Sequence, residues 1–372
     1  MNLEKFEYVM KKMVIIGIVA VVMSSCGQSS LNKRGSESDI SQTEQSDSLT
    51  FGQVVFTVED FSENYVGKVY ITDTTEVFSK GWVAIFEKKS GRQLIKVDAE
   101  ALSFDLHDGK LLANIKEIPY GEQSVIMYED YNFDGKNDFA IMDGQNSCYH
   151  GPSFKIFLAT DNGFEYSKEF TRLAQEYCGM FDVDYDKKQI STMTKSGCYW
   201  HEYSIFIVEN NKPKVIEIVI EDCELYPFCT DSIKRWDGTK MIETTETKID
   251  LGGDAVDKII LNFQIDKSEK DIVLFISSGS LCYVVIDKNG LVEFSYPMER
   301  IYKNPDFTFE TKKNTITFKN KDVIYSIYDE TSKVGIEINI DGKIYYWVGN
   351  NETKEGTIND LLNAKPDNVI IE

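Results

Sequence analysis

The sequence predicts a mainly β protein: a β-propeller-like or multi-hairpin β domain with one short helix, followed by a second, small antiparallel β domain. Short runs rich in Val, Ile, Phe and Tyr recur along the chain, each bounded by Gly, Asn, Asp or Lys. Only one stretch shows helical spacing. Between two of the apolar runs lies an acidic nine-residue loop, residues 130–138, of the kind that closes around a cation.

In chain order, residues 66–71, 82–86, 124–129, 139–142, 154–158, 203–208 and 215–220 read as strands. The helix is expected over 169–177, where Phe170, Leu173 and Ala174 share a face. Beyond Asp222 the composition turns mixed, with Cys223, Pro227, Cys229 and Thr/Glu repeats, and the domain boundary is placed near Glu246. The segment 247–372 again reads as strands, over 258–263, 272–276, 283–286, 314–318, 323–328, 334–340 and 343–347. Asp341-Gly342 between the last two is a two-residue hairpin turn. Strand spacing varies too much for a solenoid.

The amino terminus reads as a targeting segment. Lys11-Lys12 precede an apolar run over 13–23, then Ser24-Ser25-Cys26, which is the order of charged region, apolar region and small-residue cleavage site. That run is too short to span a bilayer. A cysteine directly after the small residues makes residues 1–25 resemble a bacterial lipoprotein signal, leaving Cys26 lipidated as the first mature residue. Glu4 and Glu7 ahead of the basic pair place the true start of translation at Met10. Residues 26–50 are Ser, Asp, Glu, Gln and Asn with almost nothing apolar, so they cannot bury enough surface to order themselves and serve as a tether. A flexible coil of that length reaches about 25–30 Å.

Apolar residues make up 42% of the chain, enough for a sizeable core. The net charge of −21 argues against nucleic acid, which demands clustered Lys and Arg, and suits a basic protein partner. Setting Cys26 aside leaves six cysteines, an even number outside the cytoplasm, so disulfides are expected, Cys223 with Cys229 being the simplest local pair. The alternative is a zinc site from Cys148, His150, Cys198 and His201, although the spacing is not that of a zinc ribbon.

The loop is the most specific chemistry in the chain. Asp130, Asn132, Asp134 and Asp138 stand at positions 1, 3, 5 and 9 around Gly135 at position 6, and Lys136 at position 7 can offer its backbone carbonyl. That is the spacing of a calcium loop, but the flanks are strands rather than the helices of an EF-hand. Position 12 is Ile141, so a further ligand must be water or a neighbour such as Glu129 or Asp143. Without a cation the three carboxylates repel one another.

Residues 128–141, with the Tyr149-His-Gly-Pro-Ser-Phe154 run, the helix, the 181–190 segment and Thr194-Lys-Ser-Gly-Cys-Tyr-Trp-His201, resemble a family of periplasmic lipoproteins with a β-propeller-like, calcium-loop fold. The resemblance covers about residues 51–222. Some members are immunity proteins that block lysozyme-like effectors delivered by rival bacteria. The resemblance implies Asp130, Asn132, Asp134 and Asp138 as side-chain ligands of an ion that holds the loop rather than doing chemistry.

No His-Glu-x-x-His, Gly-x-Ser-x-Gly or phosphate-binding glycine loop is present. His150 and His201 sit amid aromatics and read as core or rim histidines, and Ser196 is too near His201 along one strand to pair with it as a nucleophile. The expected organisation is therefore a signal over 1–25, a lipidated tether over 26–50, a calcium-loop β domain over 51–246 and a β domain over 247–372. The expected function is that of a non-enzymatic, membrane-anchored binding protein of the cell envelope that inhibits a lysozyme-like hydrolase. The alternative is a glycan- or peptidoglycan-processing hydrolase with an unrecognised carboxylate site.

Overall fold

A computed structural model describes residues 54–297 and 306–372. The signal, Cys26 and the tether lie outside the described residues. The expected β class is observed, as five antiparallel meanders in which sequence neighbours pair. Among the described residues no closed barrel is formed.

The first sheet comprises β1 (Val54–Val58), β2 (Tyr65–Ile71), β3 (Ser79–Glu87) and β4 (Gln93–Leu102), and the second β5 (Ile126–Glu129), β6 (Asp138–Gly144), β7 (Ser153–Thr160) and β8 (Gly163–Ser167). Helix α1 (Lys168–Leu173) follows, capped by Ser167 and burying Phe170, Thr171 and Leu173. It is shorter than its periodicity predicts. The chain beyond Ala174 is drawn off the helical path because Cys178 is bridged to Cys148 and its N–H bonds to Met193 O at 2.8 Å.

The third sheet runs β9 (Asp182–Asp184), β10 (Gln189–Ser196), β11 (Trp200–Glu209), β12 (Lys212–Asp222), β13 (Phe228–Trp236) and β14 (Met241–Ile249). The last two fill the stretch whose composition gave no strand signal. They form a regular hairpin from Phe228↔Ile249 to Trp236↔Met241, turned at Asp237, whose Oδ1 accepts from the amides of Thr239 and Lys240. Glu246 stands inside β14, opposite Asp231.

The fourth sheet holds β15 (Lys258–Gln264), β16 (Asp271–Ser277), β17 (Ser280–Ile286) and β18 (Val292–Tyr296). The fifth holds β19 (Phe307–Glu310), β20 (Thr315–Asn320), β21 (Val323–Asp329), β22 (Val334–Ile340) and β23 (Lys343–Val348). The chain then adds a short β24 (Glu355–Gly356) to the edge of the fourth sheet, passes a helical turn α2 (Leu361–Ala364), and lays β25 (Val369–Ile371) parallel to β19. Asp341 and Gly342, with φ of 50° and 84°, make the expected tight turn, Ile340 facing Lys343.

Two large apolar cores result, one built from the first three sheets and α1, the other from the last two sheets. A small third cluster joins Phe228, Ile249 and Leu251 to Phe275 and Val284. At the centre of the first core is β6, whose Phe139, Ala140, Ile141 and Met142 are fully buried. The Phe139 ring meets those of Tyr128 at 4.6 Å and Phe164 at 4.8 Å. Complete burial of such a side chain contributes about 1.5–3 kcal/mol, so the acidic loop leads into one of the best-fastened strands in the molecule.

Candidate functional site

The loop over 130–137 closes the β5–β6 hairpin, with Glu129 paired to Asp138 at its base. Gly135 has φ +86° with open space where a Cβ would stand, so the turn needs glycine for its backbone and not for room. The side chains at positions 1, 3 and 5 turn inward onto loop amides. Asp130 Oδ1 and Asn132 Oδ1 both accept from Asp134 N at 3.2 Å, Asp130 Oδ2 from Gly135 N at 2.8 Å, and Asp134 Oδ1 from Lys136 N at 2.8 Å. The Lys136 side chain points away and pairs with Asp161 at 2.8 Å, leaving its backbone for the loop. Asn132 Nδ2 reaches Asn211 Oδ1 at 3.3 Å, tying the loop to the β11–β12 turn.

Asp138 is the anchor of the set. It has no solvent exposure, and its two oxygens accept from Tyr131 N at 2.8 Å and Ala159 N at 2.7 Å. Burial pushes its carboxyl up to about 7, the two backbone amides oppose the rise, and the charges of Asp130 and Asp134 add to it. Five oxygens of hard-ligand type, three carboxylates among them, therefore belong to one loop, and this donor set fits calcium. With the side chains turned onto amides, no three Asp, Glu, His or Cys groups among the described residues converge closely enough to hold a metal ion as they stand. The neighbours considered as extra ligands are engaged elsewhere. Glu129 pairs with Lys116 at 3.0 Å, and Asp143 accepts from Ser153 at 2.6 Å and Gln175 at 2.7 Å.

Four of the six cysteines are bridged, Cys223 with Cys229 as expected and Cys148 with Cys178. The zinc alternative fails because Cys148 is bridged and Cys198 is exposed on the β10–β11 turn. His201 Nδ1 stands 3.3 Å from Glu221 Oε2 but out of line for a hydrogen bond, and His150 is exposed at the end of a 3-10 turn, Cys148–His150.

The structure also assembles a surface that sequence reasoning missed. Lys195 Nζ sits over the rings of Tyr120 at 4.4 Å and Tyr149 at 5.1 Å, and each tyrosine is 61% exposed. Tyr149 and His150 hold left-handed backbone conformations, φ 53° and 58°, beside the Cys148–Cys178 bridge. The Tyr149 hydroxyl accepts from Gly197 N, and Tyr199 is exposed two residues further on. Residues 120, 149 and 195 are far apart in sequence, so only the fold brings them together. The one sequence signal was the density of aromatics around Cys148 and Cys198.

No protein-family model matches the chain, and no curated protein matches it. Among solved structures, a type IV secretion system related protein of Xanthomonas aligns at 18% identity and TM-score 0.42, covering 53% of this chain and 96% of that one. Prolyl oligopeptidase B of Galerina marginata aligns at 8% identity and TM-score 0.24, over 82% of this chain and 43% of the enzyme, so this chain spans less than half of it. At these identities and scores neither fold nor activity carries over.

Proposed function

We propose that the chain is a lipid-anchored, calcium-binding protein of the bacterial cell envelope that works by binding another protein, most concretely a lysozyme-like hydrolase that it inhibits. Asp130, Asn132, Asp134 and Asp138 would hold the ion with their side chains and Lys136 with its carbonyl. When bound, the ion supplies positive charge that offsets three clustered carboxylates and fastens the loop to β5 and β6. The residues themselves position the turn and fix where β6 begins.

The observation that carries the binding role is the tyrosine–lysine surface around Lys195. Exposed, rigid aromatics on stapled loops supply large contact area at low entropic cost. The −21 charge favours a basic partner, as many cell-wall hydrolases are. Among the described residues no helix is long and apolar enough to cross a membrane. The anchor in this reading is the lipid on Cys26.

The test is inhibition of a panel of purified lysozyme-like hydrolases, with calcium and with chelator. Stoichiometric inhibition of at least one, weakened about tenfold or more by Tyr149→Ala with Lys195→Ala, is the expected result. No binding or inhibition across the panel overturns the inhibitor reading. Peptidoglycan or glycan cleavage by the chain alone would favour the hydrolase alternative.

A further inference from the structure

One end of the first sheet gathers apolar side chains in water. The register sets Val54 opposite Ile71, Ile71 opposite Gly81, and Ser79 opposite Leu102. The entry to β1, the β2–β3 loop and the exit from β4 therefore share that end. Val77 and Phe78 in the loop are 78% and 55% exposed, and Val55 and Leu106 are also exposed. The loop is closed at its base by Thr72 N to Lys80 O at 2.9 Å and Asp73 N to Ser79 Oγ at 3.1 Å, so its tip is held rather than frayed. Next to it a cross-strand row runs Val55, Tyr70, Trp82. The Tyr70 and Trp82 rings stack at 5.6 Å on the half-exposed face, with Lys96 Nζ 5.4 Å from the Trp82 ring.

We propose that this end of the sheet rests on a lipid surface, Val77 and Phe78 entering the acyl boundary while Tyr70 and Trp82 lie at headgroup level. Exposed aliphatics beside paired Tyr and Trp are the composition of an interfacial contact. Lipid is the occupant the chain itself indicates. Val54 is at this end, only 28 residues beyond Cys26, a length that a flexible chain spans in about 30 Å. The lipid-anchor reading therefore puts a bilayer within reach of this end. The nearby lysines are already matched, Lys80 with Glu100 at 2.5 Å and Lys96 with Asp98 at 3.4 Å, so the contact is apolar and calls for zwitterionic lipid.

This inference rests on the lipid-anchor reading, and the experiment separates the two. The full lipidated chain is mixed with phosphatidylcholine vesicles, and co-sedimentation is measured together with amide exchange over 72–80 and quenching of Trp82 by brominated lipid. Co-sedimentation lost in Cys26→Ser reports the anchor. Slower exchange over 72–80, with Trp82 quenching that Val77→Asp with Phe78→Asp reduces about tenfold, is the expected result. A chain that co-sediments with neither protection nor quenching overturns the lipid contact while leaving the anchor intact. One that does not co-sediment overturns both. Both substituted side chains are exposed, so an unchanged melting curve is expected to accompany the loss of quenching.

Discussion

In the calcium-loop reading proposed above, Asp138 makes ion binding and stability depend on pH. Its carboxyl is raised from 3.8 to about 7, chiefly by burial. The native chain thus retains a proton that the unfolded chain has released between about pH 4 and 7, and stability falls as pH rises through that window. The raised value corresponds to about 4 kcal/mol lost by pH 8 in the calcium-free protein. A cation at the loop competes with that proton. At pH 6 about one molecule in eleven has Asp138 ionised and at pH 8 about ten in eleven, so the calcium dissociation constant should be about tenfold weaker at pH 6. Calorimetry at the two pH values in buffers of different ionisation enthalpy measures the affinity and the proton released. Equal affinities at pH 6 and pH 8, with no proton released, would show that Asp138 does not couple the proton to the ion. Asp138→Asn removes the titration but leaves one of the two amides that Asp138 accepts facing an NH2 group, at about 1–3 kcal/mol. The variant should therefore be less stable than the parent at pH 4 and no less stable at pH 8, without calcium.

Asp134→Ala should abolish most of the calcium-dependent rise in melting temperature, which at a free concentration a hundredfold above the dissociation constant represents about 2.7 kcal/mol; differential scanning calorimetry reads it, and a variant that shifts as the parent does places the ion elsewhere. Replacing Cys148 and Cys178 by Ser opens a bridge spanning 30 residues and should cost about 3–4 kcal/mol in urea unfolding, with loss of partner binding at Tyr149. Lys354→Met leaves the carboxylate of Asp329 buried with only Thr357 Oγ1 and the amide of Ile358 as donors, and should cost about 3–5 kcal/mol by the same measurement.

Strands with β-branched runs were legible because their pattern is local. Residues 334–340 read as a strand and form β22 over that span, and Asp341-Gly342 specified its own turn. The β13–β14 hairpin was not legible. Met241–Ile249 carries Thr and Glu on an edge strand, so burial leaves no alternation to detect, and only pairing with β13 makes it a strand. Its threonines were the one available hint. The parallel pairing of β25 with β19 joins Phe307 to Val369, and no local pattern encodes it. For the site, spacing located the loop and its glycine turn, whereas the turning of its oxygens onto loop amides is seen only in the structure. The full burial of Asp138 and the amide it takes from Ala159 depend on β7, which lies beyond the reach of a motif. The tyrosine surface depends on three distant segments and a disulfide, and so had to be found in the fold.

Crystals grown with ample calcium give the sharpest test of whether the 130–138 loop holds an ion. A single ion at about 2.3–2.6 Å from oxygens of Asp130, Asn132, Asp134 and Asp138 and the carbonyl of Lys136 is expected. Density for water alone between those side chains, with each still turned onto its loop amide, would contradict it.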